Sequence, residues 1–431
     1  MKKENEIWLT RINRMLKTEL SSLIILLMVH GIVSSPVQAQ ENKELSDSDI
    51  VLIKKISLLR NELSEARTVQ LEDLTIENQA KAAWIIEEML NRAEQQILGT
   101  LKLAHKKELN WELYEKSENI VAQAVGYLEI LKGGVDPFDG KFAEPGGYVT
   151  DHAFVKKGNK YHVFYIRGIA ATDWPAYNLY NFGHAVSCDL KNWKIEKPVL
   201  QCPESGVDQF QVWAPFILKR KGIYYMFYTG VNTNVCQSIC LATSKDLYNW
   251  ERYGSNPVVI PGAWEEGVYD QNKWSDCRDP MVLKDGRNFY CYYTARRMNK
   301  ETRQKEHCIG ISSSHDLINW KDEGFIPLRY SMKTPPESPF VVKHKQTFYL
   351  IYTNYKYGIV YLTSKDPVKG WQEMPEDKMS IMAGVSATEL LKVGNQWQMS
   401  LISHVNNGLR FLEFRKFIWN KDGSLTVKQL D

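Results

Sequence analysis

The chain has 431 residues, of which 44% are hydrophobic and 12% aromatic, and its 54 basic and 51 acidic residues leave a net charge of +3. Two folding units are the natural expectation at this length. A nearly neutral chain without long runs of like charge argues against nucleic-acid binding and favours neutral or weakly charged ligands. The seven scattered cysteines do not form a disulfide framework, although Cys236 and Cys240 could bridge, and none has zinc-site spacing.

Residues 1–39 have the pattern of a signal peptide. A long basic region is followed by the apolar stretch LSSLIILLMVHGIV and by VQA, which fits cleavage after Ala39. A membrane anchor is the alternative, but His30 and Gly31 interrupt an apolar stretch that is already short. We therefore expect a secreted or periplasmic protein that is not held at the membrane after cleavage.

Residues 40–134 are predicted to form an α-helical N-terminal segment. The stretch 41–131 contains no proline, and apolar residues recur at three- and four-residue spacing, as at Ile86, Leu90 and Ala93. Gly133-Gly134 closes the segment, as expected of a helix stop. We interpret it as a packing or spacer domain, with a homodimer formed through these helices as the alternative.

From residue 135 on, short runs rich in Val, Ile, Tyr and Phe predict antiparallel β-structure. A strand–turn–strand pattern recurs at intervals of 50 to 65 residues, starting at Asp151, Ala214, Asp279, Glu337 and Ala387. Each of the first four repeats continues into a turn of the type SKDLYNW, whose tryptophan we expect to pack between neighbouring units. One repeat supplies about four strands, so residues 135–431 are predicted to form an all-β five-bladed β-propeller.

Three carboxylates are predicted to meet at one mouth of the propeller channel. Asp151 and Asp279 each precede their turn glycines, Gly158 and Gly286, by seven residues, and Glu337 is assigned the same place in the fourth blade. Carboxylates held close together cannot all ionise freely, so one pKa is raised, and glycosidic cleavage needs this arrangement. The alternative is that these residues cap strands or hold a central ion.

The motifs around these residues resemble the five-bladed glycoside hydrolases of families 43 and 32 over residues 140–431. The resemblance rests on Asp151 in VTDHAF, Trp213 in VWAPFI, Asp279 in RDP and Glu337 in ESP. Trp-Ala-Pro before a tyrosine-rich hairpin is most like family 43, whereas Arg-Asp-Pro looks more like family 32. The chain departs from the fructosidases of family 32, which have Asn-Asp-Pro-Asn at the first Asp and Glu-Cys-Pro at the Glu.

The resemblance implies a secreted glycoside hydrolase of oligo- or polysaccharides with Asp151, Asp279 and Glu337 as its catalytic residues. A family 43-like enzyme is exo-acting and inverting: Asp151 is the general base, Glu337 the general acid, and Asp279 raises the pKa of Glu337. A family 32-like, β-fructofuranosidase-like enzyme is retaining: Asp151 is the nucleophile, and Asp279 binds sugar hydroxyls and stabilises the transition state. A non-catalytic carbohydrate-binding propeller is a further alternative. A propeller phosphorylase is another, although the sequence shows no Arg or Lys cluster for phosphate.

Five more residues are candidates for substrate binding. Trp213 could stack on a sugar face. Either Trp274 or Trp264, in the loop that leads to Asp279, could form the wall of a subsite, with simple packing as the alternative. Arg278 could bind sugar hydroxyls or pair with the carboxylates, and strand alternation turns Glu389 towards the channel. His404 follows the hairpin of the fifth blade, where a buried, satisfied histidine is the alternative. We assign no metal ligands and expect no required cofactor, although a channel cation such as calcium would be compatible with the fold.

Overall fold

The computed structural model describes residues 58, 121, 141–142, 147–169, 179–265, 268–404 and 410–430, with only the backbone described at residues 147, 148, 168, 169, 265 and 404. These residues form five antiparallel sheets, each with four strands joined in chain order. The predicted all-β five-bladed propeller is therefore confirmed. Of the predicted helical segment 40–134, only Leu58 and Val121 are described, both in α-helix. That segment, the signal peptide and the domain boundaries stay predictions.

The blades follow one another along the chain. The first contains β1 (Gly147–Lys157), β2 (Lys160–Ile169), β3 (Phe182–Ser187) and β4 (Trp193–Ile195). The second contains β5 (Gln211–Arg220), β6 (Ile223–Val231), β7 (Gln237–Ser244) and β8 (Glu251–Arg252). The third contains β9 (Cys277–Asp285), β10 (Asn288–Met298), β11 (Lys305–Ser314) and β12 (Lys321–Pro327), preceded by a 3-10 turn at Ala263–Glu265.

The fourth blade contains β13 (Glu337–His344), β14 (Thr347–Asn354), β15 (Gly358–Ser364) and β16 (Gln372–Glu373), and β17 (Ser380–Met382) also pairs with β15. The fifth contains β18 (Val385–Val393), β19 (Gln396–His404), β20 (Arg410–Trp419) and β21 (Leu425–Lys428). The strands β6, β10 and β14 are buried along most of their length. Because each lies between two strands of its own sheet and packs against neighbouring blades, its buried central residues are mostly apolar and aromatic.

The five inner strands close into a ring. β1 contacts β5, β5 contacts β9, β9 contacts β13, β13 contacts β18, and β18 contacts β1. The ring is fastened by backbone hydrogen bonds between Phe142, which precedes the first blade, and Leu412 on β20: the two N–H groups donate to the opposite carbonyl oxygens over 3.1 and 2.8 Å. The backbone just before the first blade is therefore hydrogen-bonded to the last blade.

The repeated Ser-x-Asp turns are held by side-chain caps. In the second blade, Ser244 Oγ accepts hydrogen bonds from the backbone N–H groups of Asp246 and Leu247. Asp246 Oδ1 accepts from the N–H groups of Tyr248 and Asn249, both over 2.8 Å. The same pattern recurs at the corresponding turns of the first, third and fourth blades. The polar residues of this motif are therefore explained by turn formation.

The tryptophans of these turns pack against the neighbouring blade, as expected. Three of them meet an aromatic ring of the preceding blade edge to face: Trp250 with Phe164, Trp320 with Phe227, and Trp371 with Tyr292, with centroid distances of 5.6, 5.6 and 6.2 Å. The fourth, Trp193, stacks on Phe414 of the fifth blade at 6.4 Å. Edge-to-face contacts add to the stabilisation from apolar burial, so this motif joins blades.

None of the seven cysteines is in a disulfide bond, so Cys236 and Cys240 do not bridge. Five of the seven are buried, where they pack as small apolar side chains. Burial raises the pKa of Cys240 and Cys291, which keeps both thiols protonated at neutral pH. No helix among the described residues has the length and apolar character needed to cross a membrane.

We predict that Asp246→Ala lowers the free energy of unfolding by about 1 kcal/mol at pH 7, since two N–H groups lose their cap. The hydrogen bonds, foremost that from the Asn249 N–H, lower the pKa of Asp246. Its contribution is therefore complete above the unfolded pKa of about 3.9 and is lost as the pH falls through the native value. Urea unfolding between pH 3 and 7 should show the gap to wild type narrowing below pH of about 4. The exposed neighbour variant Lys245→Ala serves as control, and a gap that is constant with pH would contradict this account.

Candidate active site

All five inner strands carry a β-bulge near the channel mouth, at the same ladder position in β5, β9, β13 and β18 and one position further from the hairpin turn in β1. In four of them the bulge begins with a non-glycine residue of positive φ: Ala214, Asp279, Ser338 and Ala387, with φ of 44°, 58°, 52° and 45°. In three blades a proline follows that residue. A bulge takes residues out of the hydrogen-bonded ladder, so a proline without an N–H group is tolerated there. The Arg-Asp-Pro and Glu-Ser-Pro triplets are therefore bulge sequences at the channel mouth.

The structure brings Asp151, Asp279 and Glu337 together at this mouth. Ser338, adjacent to Glu337 in the chain, links the other two: its Oγ donates to Asp151 Oδ1, and its backbone N–H donates to Asp279 Oδ2 over 3.0 Å. The N–H of Asp279 donates in turn to Thr229 Oγ1 over 2.9 Å. Side chains from the first, third and fourth blades thus share one hydrogen-bonded group.

Glu337 does not occupy the equivalent position that the sequence predicted. The fourth blade has no turn glycine, and Lys345 takes its place with φ of 54°, beside 63° for Gly158 and 60° for Gly286. Counting seven residues back from Lys345 leads to Ser338. Glu337 therefore stands one residue earlier, paired with Thr353 as Arg278 is paired with Thr294. The prediction of three equivalent positions was wrong by one residue because the fourth blade has no turn glycine from which to count.

The Arg278 guanidinium holds Glu337 in a two-pronged ion pair. Arg278 Nε donates to Glu337 Oε2 over 2.9 Å, and Nη2 donates to Oε1 over 2.7 Å. Arg278 is 6% exposed, so solvent screens the pair weakly. Burial by itself would raise the pKa of Glu337, but Arg278 outweighs it and lowers that pKa to about 2. In the free protein Glu337 is a carboxylate, and the pairing predicted as one alternative for Arg278 is what the structure shows.

The two aspartates have the opposite shift. Burial, Glu337 and Asp151 together raise the pKa of Asp279 well above its usual range. Burial also raises the pKa of Asp151, against the hydrogen bond from Ser338, which lowers it. We predicted that Asp279 raises the pKa of Glu337, and in the free protein the effect is the reverse. Arg278 stabilises the ionised form of Glu337, and the negative charge of Glu337 helps to raise the pKa of the two aspartates.

The carboxylates line a cleft of about 630 Å³ that opens to solvent. Two aromatic side chains on its walls are notably exposed, Trp274 at 45% and Tyr355 at 68%. Tyr355 also donates from its hydroxyl to Glu337 Oε1 over 3.3 Å. Exposed aromatic rings beside buried carboxylates present an apolar face next to polar hydrogen-bonding groups, which suits a sugar ring.

The remaining predicted residues fall into different places. Trp213 lines the cleft, with its indole N–H donating to Gln211 Oε1 over 2.9 Å. Trp264 does not line it: its indole N–H donates to Asp322 on the outer strand of the third blade. Glu389 faces the channel, as strand alternation predicted, but lies in a smaller cavity of about 30 Å³ below the cleft. Its Oε2 accepts from the Phe154 N–H over 2.9 Å, and burial raises its pKa to about 8.

The side chain of His404 lies outside the described residues. Within the part of the chain that the structure describes, no group of three or more His, Cys, Asp or Glu side chains is placed to hold a metal ion. The expectations about cofactors and a channel calcium stay predictions.

A family model described as "Glycosyl hydrolases family 32 N-terminal domain" matches residues 142–334. This range contains Asp151 and Asp279 and ends three residues before Glu337. A solved structure, of a thermostable family-43 glycoside hydrolase, matches 67% of this chain and 96% of its own with a TM-score of 0.53 at 18% identity, which shows a shared fold. The chain thus shares its fold with a family-43 glycoside hydrolase, and its residues 142–334 are similar to the family 32 N-terminal domain.

Two curated proteins match parts of the chain. The "1,2-beta-oligomannan phosphorylase" of Thermoanaerobacter sp. (strain X514) is 32% identical over 202 residues, which are 43% of this chain and 59% of that protein. The vacuolar "Acid beta-fructofuranosidase 1" of a Rosa hybrid cultivar is 32% identical over 132 residues, 29% of this chain and 21% of that protein. The chain thus spans less than two thirds of the length of either relative.

Several residues of the site were missed by sequence analysis. Ser338 was read only as part of the Glu-Ser-Pro motif, and its central place follows from the bulge, which a count from Lys345 would have indicated. Tyr355 lies in a turn after β14, in TNYKYG, where nothing in the sequence distinguishes it. Arg296, Lys356 and Arg410 also line the cleft, but they come from three blades and therefore form no cluster in the sequence.

We predict that Ser338→Ala raises the pKa of Asp151 further, because the carboxylate loses a stabilising hydrogen bond. Alanine should fit this position, since Ala214 and Ala387 occupy the same bulge position in two other blades. The titration of the Asp151 carboxyl carbon can be followed by NMR, with Asp151→Asn for assignment. A midpoint equal to that of wild type would show that Ser338 does not tune Asp151.

Proposed function

We propose that the propeller hydrolyses glycosidic bonds of oligo- or polysaccharides with Asp151, Asp279 and Glu337 as its catalytic carboxylates. The observation that carries this proposal is that the three side chains, from three blades, meet at the floor of one open cleft with exposed aromatic walls. Glycosidic cleavage requires one carboxyl that protonates the leaving oxygen and a second that acts at the anomeric carbon. A neutral sugar also agrees with the near-balanced charge of the chain.

We assign Glu337 as the proton donor and Asp151 as the group that acts at the anomeric carbon. Asp279, between them, binds sugar hydroxyls and stabilises positive charge in the transition state. Since Arg278 holds Glu337 ionised in the free protein, Glu337 can donate a proton only after a bound substrate has weakened that ion pair. Tyr355, which donates to the same carboxylate, is placed to hold the leaving sugar against it.

The match to a family 32 domain favours the retaining scheme, in which Asp151 attacks the anomeric carbon and a covalent glycosyl-enzyme forms. The inverting, exo-acting scheme is the alternative, with Asp151 as base for a water molecule. The two schemes give sugars of opposite anomeric configuration at the moment of release.

We predict that proton NMR of the first product, recorded before mutarotation, shows the same anomeric configuration as the substrate. Retention would support direct attack by Asp151, because two successive displacements restore the starting configuration. Release of the opposite anomer would contradict attack by Asp151 and assign it as the base.

A phosphorylase is a second candidate, because Arg296, Lys356 and Arg410 line the same cleft and could hold inorganic phosphate beside the anomeric carbon. The relative from Thermoanaerobacter carries a phosphorylase name. Phosphorolysis would release a sugar 1-phosphate and would depend on added phosphate. Hydrolysis would release the free sugar and would proceed without phosphate.

We predict that the wild-type protein releases sugar from at least one member of a panel, without added phosphate, and that Glu337→Gln reduces the rate by at least about 100-fold. The panel should span aryl arabinofuranosides, xylosides and galactosides, together with sucrose, fructans and β-1,2-mannobiose, each with and without phosphate. Glu251→Gln makes the same chemical change at an exposed position on β8 and should leave the rate unchanged.

Three other outcomes would each redirect the proposal. Release that requires phosphate would favour the phosphorylase. Binding of a sugar without release, measured by calorimetry, would favour a carbohydrate-binding propeller. Equal rates for wild type and Glu337→Gln would remove Glu337 from the role of acid.

A further inference from the structure

Arg278 has a second anchor besides Glu337. Asp276, two residues earlier in the chain, accepts a hydrogen bond from Arg278 Nη1 on its Oδ1. The same Nη1 donates to Gln237 Oε1 on β7 over 3.1 Å. The guanidinium is thus held on one edge by Glu337 and at its remaining terminal nitrogen by Asp276 and Gln237, which fixes its plane against the carboxylate.

Asp276 also connects Arg278 to the wall of the cleft. Its Oδ2 lies 2.6 Å from Arg296 Nε on β10, although the N–H does not point at the oxygen, so the contact acts mainly through charge. The indole N–H of Trp274 donates to Asp276 Oδ1 over 3.4 Å. The side chain of Asp276 is 2% exposed, that of Arg278 8% and that of Arg296 32%. A buried aspartate therefore lies between one buried and one cleft-facing arginine.

The charges form the sequence Arg296, Asp276, Arg278, Glu337, with signs that alternate. In such a row each inner charge interacts with two neighbours of opposite sign. A change of charge at one end of the row therefore alters the electrostatic stabilisation of the group at the other end. Removal of charge from Asp276 takes away one of the anions that share Arg278 with Glu337, and leaves Glu337 and Asp279. Removal of charge from Arg296 leaves Asp276 to act more strongly on Arg278.

We propose that Asp276 is a positioning residue for the proton donor: it fixes Arg278 against Glu337 and takes up part of the positive charge of Arg278. Asp276 touches no reacting atom in this account and acts only through Arg278. The inference rests on the proposed function, because it assigns a task to the carboxylate that we propose as the acid. If the proposal is correct, all four charges together determine how easily a bound substrate separates Glu337 from Arg278.

Other groups around Glu337 bear on the same titration. They are Asp279 on β9, Asp151 on β1, Tyr355 after β14 and His307 on β11. Burial and then Arg296 lower the pKa of His307 to about 4, so it is neutral at pH 7. Burial and then Glu337 raise the pKa of Tyr355, which likewise stays neutral. The two aspartates are unchanged in the variants below, whereas Arg296→Gln also removes a charge that lowers the pKa of His307, so the shift has to be read at the Glu337 carboxyl carbon itself.

Two variants are expected to move the titration of Glu337 in opposite directions. Asp276→Asn keeps an oxygen that accepts from Arg278 but removes the negative charge, so the carboxylate is favoured and the alkaline limb of the kcat profile moves down by about 0.5 to 1 pH unit. Arg296→Gln removes a positive charge from the row, so the protonated form is favoured and the limb moves up by a similar amount. Asp270→Asn, which removes a negative charge from the same loop without contact to Arg278, should leave the limb in place.

A merely structural role of Asp276 would lower kcat at every pH without shifting the limb, and that result, or shifts of both variants in the same direction, would overturn the proposal. A second readout does not depend on activity. NMR of the Glu337 carboxyl carbon, assigned with Glu337→Gln, should titrate at higher pH in Arg296→Gln than in wild type. An unchanged midpoint there would overturn the proposal, whereas a raised midpoint in a protein that cleaves no substrate would support the charge row and remove only the proposed function.

Discussion

The β-bulge repeated in the five inner strands is the constraint on which the site depends. A regular strand would send successive side chains alternately towards the channel and the core. The bulges interrupt this alternation near the channel mouth, so that Arg278 and Asp279, neighbours in sequence, both reach the cleft. A left-handed backbone is costly for most residues but is tolerated by aspartate. The Asp-Pro pair at the bulge therefore serves the backbone and the chemistry together.

The site is organised by charge as much as by shape. Among the described residues that line the cleft, Arg278, Arg296, Lys356 and Arg410 stand beside four acidic side chains. Arg278 lies at the centre of this group, and its ion pair decides which carboxyl is ionised in the free protein. If Glu337 is the proton donor, as we propose, its ion pair links catalysis to substrate binding, because the sugar would have to compete with the arginine before the acid could gain its proton.

The fold could be predicted from the sequence because it depends on local patterns. The site could be predicted only in part, because many of its contacts join residues that are far apart in the sequence. The hairpins and the Ser-x-Asp turns with their tryptophans depend on a few consecutive residues, so their repetition indicated five blades. The convergence of Asp151, Asp279 and Glu337 followed from that repetition. The repetition did not indicate that Arg278 pairs more closely with Glu337 than with Asp279, because this pairing depends on side-chain directions at two bulges. Asp276 and Tyr355 belong to no repeated pattern, and only the folded chain brings them to the site.

The central claim, that Asp151, Asp279 and Glu337 act on one glycosidic bond, is tested most directly by a crystal structure of Glu337→Gln with the oligosaccharide that the wild-type protein cleaves fastest. We expect the glycosidic oxygen to lie within hydrogen-bonding distance of the residue 337 amide and the anomeric carbon to face Asp151. Asp279 should contact hydroxyls of the same sugar. A sugar bound along the outer wall of the cleft, with no glycosidic bond between residues 151 and 337, would contradict the account.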